Sequence, residues 1–437
     1  MMTIQGEFMY SLAERLFPIC RSITGDGVRE TLKILSEVYP ITIKEIPSGT
    51  KVFDWVIPRE WNIKDAYIED ESGNKIIDFK NNNLHVMGYS LPVDTYVSLE
   101  KLKEHLYTEP NQPDAIPYIT SYYSERFGFC MSENQKNALT EQTYHMYIDS
   151  TLEAGNLTYG EIIIESPGAK EEIFLSTYIC HPSMCNNEIS GMVMAITLAK
   201  HISEMEDRRY NYRIVFVPET IGSITYLSKN YLEMKEKIIA GFNITCVGDN
   251  NAFSHVESRY GNNLSDRVAR NILKYMAPDY KKYSFLERGS DERQYCAPGI
   301  DLPICTICRS KFGEFNEYHT SLDNLGYISA EGLQGAYDFF TKAISVLEYN
   351  YYFKVNCLCE PQLGRRGLYP TLSRKSQYDQ VKAMTNFIAY SDGSNDLVDI
   401  AEIVGVAAYD FIEIAKKMVE HGLIEKNTKR EKISELR

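Results

Sequence analysis

The chain has 437 residues, 44% of them hydrophobic and 24% charged, with a net charge of −14. That length exceeds one core and predicts two or three globular domains, while the acidic balance argues against a phosphate-reading surface, because each phosphate contact takes a Lys or Arg. No apolar run reaches the roughly eighteen residues of a membrane-spanning helix, and MMTIQGEFMYSLAERLF carries acids where a signal peptide is basic, so a cytoplasmic protein is expected.

Ten cysteines are too dilute for a disulfide scaffold, and Cys180, Cys246 and Cys305 lie in apolar runs, which predicts reduced core thiols. Cys305 and Cys308 form a CxxC in LPICTICRS, but no second pair or nearby His accompanies it, so a buried strand is the expectation there.

From Phe8 to Leu35 apolar residues recur at three- and four-residue spacing, predicting two helices broken at SITGDG. Residues 41–130 then show short alternating segments (KVFDWVI, DAYIED, NKIIDF) with turns at SGT and ESGN, as a small inserted antiparallel β domain would. From 131 the texture becomes strand, helix, strand: GEIIIES, EEIFLSTYI, a helix after Ser190, YRIVFVP, a helix near ITYLSKNYLEMK, and AGFNITCVG. This predicts an α/β domain of residues 1–40 and 131–350, a three-layer αβα fold around a mostly parallel sheet. Residues 351–378 read as a connector. Residues 379–437 read as a winged helix-turn-helix, with two helices around VAA, a stop at Gly422 and a strand-like end. Counting 381–437 gives 8 basic against 10 acidic residues, a net of −2, which favours protein contact or dimerisation over DNA reading.

The chemistry is expected where strands end. His181 follows IFLSTYIC, Glu219 follows RIVFVP and Asp249 follows FNITCVG, which lines all three along the carboxyl edge of one sheet, where open α/β folds bind ligands. His319 arrives in the polar loop GEFNEYHTSLDN, after LPICTIC. Two His with acids at strand ends predict a zinc site, because a catalytic zinc takes three protein ligands and one water. Glu219, in VFVPETIGS, is the expected general base.

The ordered segments HPSMCNNEISG, PETIGS, TCVGD, RGSDERQYCAPGIDLP and YHTSLDN resemble the zinc aminopeptidases of the phosphorylase/hydrolase-like fold, a group that includes glutaminyl cyclase. With LFPICRSITGDGVRETL, an inserted β domain and a C-terminal winged helix, the chain is most similar to a bacterial aminopeptidase-like family. The resemblance implies that His181 and Asp249 serve a first zinc, His319 a second, and Glu219 the proton transfer. It also exposes two departures. Asn187 stands where an Asp bridges two metals, and Thr220 where a second Glu follows the base, so one zinc is expected rather than two.

Glu188 lies one residue beyond the missing Asp and is one methylene longer. It is therefore expected to join His181 and His319 on the metal, with Asp249 either a ligand or the partner of His181, and Asn187 behind them. Asp323, four residues after His319, is expected to orient that ring. By resemblance the Ser-Asp stretch borders the site, which nominates Asp291, Arg293 and Tyr318 for substrate, Arg293 through a substrate carboxylate. The inserted domain is expected to wall the cleft. The expected function is zinc-dependent hydrolysis of an amide in a small peptide or an amino-acyl conjugate, including one linked to a sugar, since the resemblance points toward biosynthesis of surface sugars. The rival is a degenerate peptidase fold that binds or regulates through its tail. Neither a membrane nor nucleic acid is an expected partner; a second copy or another protein at the C-terminal domain is.

Overall fold

The computed structural model describes residues 4–368 and 375–431. The middle of the expected connector, 369–374, and the end of the expected winged helix, 432–437, lie outside the described residues. The chain divides into two compact units, Met1–Asn263 with Lys281–Tyr337, and Leu264–Tyr280 with Asp338–Arg437.

The first unit is built on an eight-stranded sheet in the order Thr42–Pro47, Asn156–Ile164, Asn211–Val217, Glu172–Tyr178, Ile238–Ile244, Ile304–Cys308, Ser254–Val256, Lys281–Tyr283. Its four central strands, from Asn211–Val217 to Ile304–Cys308, are parallel. Both strands on one flank pair antiparallel, as does Ser254–Val256 on the other, so the sheet is mixed, with a parallel centre. All seven residues of Glu172–Tyr178 are buried, which means that both faces of the sheet are covered and explains why the strand reads as a continuous apolar run. On one face Phe174, Val215 and Val217 pack with Ile221, Ile224 and Leu227 of the helix Ile221–Lys237. The helix Ser190–Ser203 also lies close to the sheet. A Cβ on Gly191 would fall 2.4 Å from Thr177 Oγ1 and 2.6 Å from the Ile244 carbonyl, so a side chain there would push the helix away.

The small sheet of the insert has the order Lys75–Asp78, Glu60–Glu69, Thr143–Glu153, Val93–Ser98, antiparallel throughout. It differs from the expected 41–130 at both ends. Thr42–Pro47 pairs with Asn156–Ile164 in the large sheet, and Thr143–Glu153, beyond 130, is the strand on which Glu60–Glu69 and Val93–Ser98 assemble. Alternation in the sequence marks strands but carries no information about which sheet receives them.

The second unit is a winged helix. Its three-stranded antiparallel sheet runs Asp392–Asp396, Tyr352–Val355, Ile424–Asn427, and Phe353, Phe387 and Phe411 meet edge to face in its core with ring centroids 5.1 and 5.0 Å apart. The helix Leu397–Val404 opens on a capping box between Asp396 and Asp399 and stops at Gly405, whose positive φ is the usual helix ending. The unit also takes Tyr352–Val355 from the expected connector and the helix Leu264–Met276 from the expected α/β domain. Arg267 of that helix grips both Asp396 oxygens at 3.0 and 2.7 Å, and Asn271 Oδ1 accepts the Ala408 N–H at 2.7 Å at the start of the next helix. Asp396→Ala removes the cap and half of this clamp together. The expected cost is roughly 2–3 kcal/mol in urea unfolding, while Asp392→Ala, which breaks only a local turn, costs less than half of that.

Among the described residues no helix is long and apolar enough to cross a membrane.

Candidate active site

Glu172–Tyr178 and Asn211–Val217 are adjacent parallel strands, with Tyr178 paired to Val217. The residues just past their carboxyl ends therefore emerge side by side. His181 Nε2 and Glu219 Oε2 face each other at 3.8 Å, and the Cys180 thiol receives the Glu219 N–H at 3.2 Å. Thr220, next to Glu219, has φ 64° and ψ −74°, and the Ile221 N–H donates to the Glu219 carbonyl at 2.8 Å. This is the strained γ-turn, rare for a β-branched residue, which persists only where its surroundings hold it. They do so here. Asp291 accepts the Thr220 N–H at 2.8 Å and the Ser223 hydroxyl at 2.7 Å, and Arg293 donates from Nη2 to Thr220 Oγ1 at 2.7 Å. Ser183, two residues after His181, and His319 also have positive φ.

HPSMCNNEISG folds as a tight irregular turn followed by a single π-turn, Cys185–Ile189, ahead of the helix Ser190–Ser203. Wide turns of this kind often mark functional positions. Asp323 holds the turn from outside, accepting the N–H groups of Asn186 and Asn187 at 2.6 and 2.9 Å. Asn186 Nδ2 donates to Asp249 at 3.0 Å, and Asn187 Oδ1 accepts the Tyr178 hydroxyl at 2.8 Å. Glu188 turns back beneath His181. One oxygen accepts from His181 Nδ1 at 2.7 Å, from the Cys180 N–H at 2.8 Å and from the His181 N–H, and the other accepts from Arg21 Nε at 3.1 Å. Burial favours a neutral Glu188 carboxyl, but His181, Arg21 and the backbone donors outweigh it and keep its pKa below the usual value. For His181 burial works against the imidazolium, and Glu188 reverses the balance and raises the pKa.

His181, Glu219, Thr220, Arg293 and His319 line a cavity of about 430 Å³, whose remaining wall includes Ile23, Trp55, Tyr118 and Tyr122. Trp55, Tyr118 and Tyr122 come from the insert, which therefore forms a wall of the cleft. The same segment positions His319. The Tyr118 N–H donates to the His319 carbonyl at 2.9 Å, and the Ser321 N–H to the Ile116 carbonyl at 2.9 Å. The His319 ring stacks on Tyr318 at 3.9 Å, meets Tyr118 edge-on at 5.2 Å and lies 5.3 Å from the His181 ring. Burial, with His181 beside it, pushes its pKa down to about 3, so it is a neutral imidazole. Burial lifts Glu219 above the ordinary carboxyl value despite His181 and Arg293, and burial together with the Glu219 charge lifts Asp291 to about 7.

The structure thus gathers His181, Glu219, Arg293 and His319 around one cavity. Five expected residues stand elsewhere. Glu188 lies on the far nitrogen of His181, because the π-turn carries its side chain under the strand end. Asp249 is not the partner of His181; its oxygens accept from Asn186, Asn251, the Ser310 N–H and the Ser310 hydroxyl. Asp323 bonds the turn, with no hydrogen bond to His319. Tyr318 supports the His319 ring and Asp291 the Thr220 turn, rather than facing the cavity. Arg21 was invisible as a site residue: the only sequence signal was an Arg inside the apolar stretch LFPICRSI.

These donors meet two conditions for zinc and fall short of a third, since His181 and His319 supply two of the three protein ligands that a catalytic zinc takes. A zinc-bound His generally donates its other ring N–H to a carboxylate, as Glu188 receives it from His181. His319 Nε2 is buried with no hydrogen-bond partner, a lone pair left for a ligand. Cys180, His181 and Glu188 also bring three donor atoms within 4.8 Å of one another, but they suit a metal poorly. Burial holds the Cys180 thiol well above its usual pKa, and Glu188 is consumed by Arg21 and His181.

A family model described as Domain of unknown function (DUF4910) matches residues 10–350, and one described as winged helix-turn-helix matches 350–426. A Clostridium acetobutylicum protein, provisionally named for polysaccharide biosynthesis with an aminopeptidase-like domain, is 47% identical over 399 residues, 91% of each chain. The crystal structure of a provisionally assigned peptidase from Clostridium acetobutylicum superposes with a TM-score of 0.91 at 43% identity, covering 97% of both chains. A zinc aminopeptidase from Bacillus subtilis shares the fold, with a TM-score of 0.54 at 13% identity over 78% of this chain and 94% of its own. The fold is aminopeptidase-like.

Proposed function

We propose that this chain, which belongs to the DUF4910 family, is a zinc-dependent amide hydrolase that uses Glu219 as its general base. One observation carries the reading: Glu219 faces His181 Nε2 at 3.8 Å, beside a neutral His319 whose buried Nε2 has no partner. The two imidazoles would hold a single zinc, and zinc when bound polarises an amide carbonyl and acidifies water. Asn187 and Thr220, both without a carboxylate, argue against a second ion. Glu219, its pKa raised by burial, takes a proton from water in the cavity and returns it to the leaving nitrogen. Asp291 and Arg293 keep the Thr220 turn in its strained form and so aim Glu219. The aromatic wall from the insert restricts the cavity to small substrates, and the name of the Clostridium relative keeps amino-acylated sugars among them.

A binding or regulatory role is the second reading, favoured by the way Glu188 and Asp249 spend their oxygens inside the chain. In either case the winged helix is proposed as a protein-contact or dimerisation module. Purified protein supplied with zinc is expected to retain close to one ion per chain by elemental analysis and to cleave small amides. Less than about 0.1 zinc per chain, with no cleavage, overturns the hydrolase in favour of the binding role.

A further inference from the structure

We propose that the substrate carries a carboxylate on the leaving-group side of the scissile amide, as an N-acyl amino acid does, and that Arg293 holds it; this rests on the hydrolase reading above. An aminopeptidase substrate brings a free ammonium group, whose strongest match is a carboxylate other than the base. The cavity offers none. Glu219 is the one carboxylate among its lining residues. The neighbouring acids Glu188, Asp291 and Glu292 are buried, and Glu188 is held by His181 and Arg21. Asp291 is spent on the Thr220 N–H and Ser223 and Glu292 on the N–H groups of Gly289 and Ser290, on Asn243 and on Thr306, while the second Asp291 oxygen stays buried without a partner.

The cavity offers a cation instead. Arg293 is half-buried and anchored on two sides, by Nε to the Ser290 carbonyl at 3.0 Å and by Nη2 to Thr220 Oγ1 at 2.7 Å. Its third nitrogen, Nη1, makes no hydrogen bond within the described residues, and no carboxylate stands within ion-pairing distance of the guanidinium. A guanidinium fixed on one edge and open on the other is preorganised for a carboxylate, since little of its side-chain freedom is left to lose on binding. Arg293 is two residues from Asp291 and bonds the residue after Glu219, so the anchored charge would lie close to the amide nitrogen that Glu219 protonates.

The reaction balances without a further reagent. The oxygen of water joins the acyl carbon, the carbon–nitrogen bond breaks, and one proton of that water travels through Glu219 to the departing nitrogen. The products are a carboxylic acid and a free amino acid.

The test compares three phenylalanine compounds on the zinc-loaded protein: N-acetyl-L-phenylalanine, its neutral carboxamide, and L-phenylalanine 4-nitroanilide, which has a free amine and no carboxylate. N-acetyl-L-phenylalanine is expected to be the best substrate. Arg293→Met is expected to raise its KM roughly 10- to 100-fold, as losing a hydrogen bond to a charged group does. Loss of turnover through the Thr220 turn should fall on both compounds alike, but the KM of the carboxamide should change by less than about 3-fold, and Arg293→Lys should restore part of the KM loss. The carboxamide serves as the internal control: an equal rise in KM for both compounds, or no rise for either, means that Arg293 acts only through the Thr220 turn, and overturns the proposal. Preference for the nitroanilide also overturns it, while leaving the hydrolase reading intact. If none of the three is cleaved, the hydrolase reading fails, and calorimetric titration with N-acetyl-L-phenylalanine decides the ligand class. Binding that depends on Arg293 upholds the carboxylate site, and no binding ends it.

Discussion

Glu219→Gln is expected to lower amide hydrolysis by roughly 10²–10⁴-fold, the usual contribution of a positioned general base. The substitution keeps the shape of the side chain and removes only its ability to take a proton. It should leave the fold intact, because the Glu219 carboxylate makes no hydrogen bond among the described residues; its neighbours are the His181 imidazole at 3.8 Å and the charges of Arg293 and Asp291. Removing a buried negative charge next to Asp291 relieves a repulsion, so thermal stability should hold or rise. Zinc content, measured on the same sample, separates two roles. A base can be lost without losing the ion. If Glu219→Gln protein loses its zinc along with its activity, Glu219 is a ligand and the proton must move through another group. Full activity with zinc present removes Glu219 from the chemistry altogether.

The placement of His181 and Glu219 was legible because topology alone controls it. Two adjacent parallel strands that end level must deliver the next residues to the same edge, and both strands announced themselves as apolar runs. The turn was less legible. HPSMCNNEISG reads as a polar loop in which an acid is free to turn toward a metal, and Glu188 is the acid nearest to the missing Asp. What decided its direction is the π-turn and a partner more than 160 residues away in sequence, Arg21. Neither leaves a mark on local spacing. Asp249 shows the same limit: it does follow a strand, yet Asn186 and Ser310 surround it, and a residue's neighbours across the chain cannot be read from its own segment. The strain at Thr220 was hidden for a different reason, since Thr is a poor signal for positive φ and only the clamp of Asp291 and Arg293 makes that conformation affordable to the chain.

Arg21→Met is expected to destabilise the first unit by about 3–5 kcal/mol in urea unfolding, the cost of leaving one member of a buried ion pair unmatched. Arg21 is 1% exposed and Glu188 1%. The guanidinium donates to Glu188, to the His181 carbonyl at 3.1 Å and to the Leu16 carbonyl at 2.8 Å, joining the first helix to the turn. Without it Glu188 retains His181 and two backbone N–H groups, but no positive charge stands permanently against its own. Glu188→Gln alone should also be costly, because an amide can accept from only some of these donors. Arg21→Met combined with Glu188→Gln removes both charges, and the pair should be less destabilising than the sum of the single changes by about 0.5–3 kcal/mol. Strict additivity would mean that the two residues act independently and that their contact contributes nothing. A coupling in the expected range, with weakened zinc retention in Arg21→Met, places the source of His181's orientation in the N-terminal segment, outside the strands and turns that carry the reacting groups.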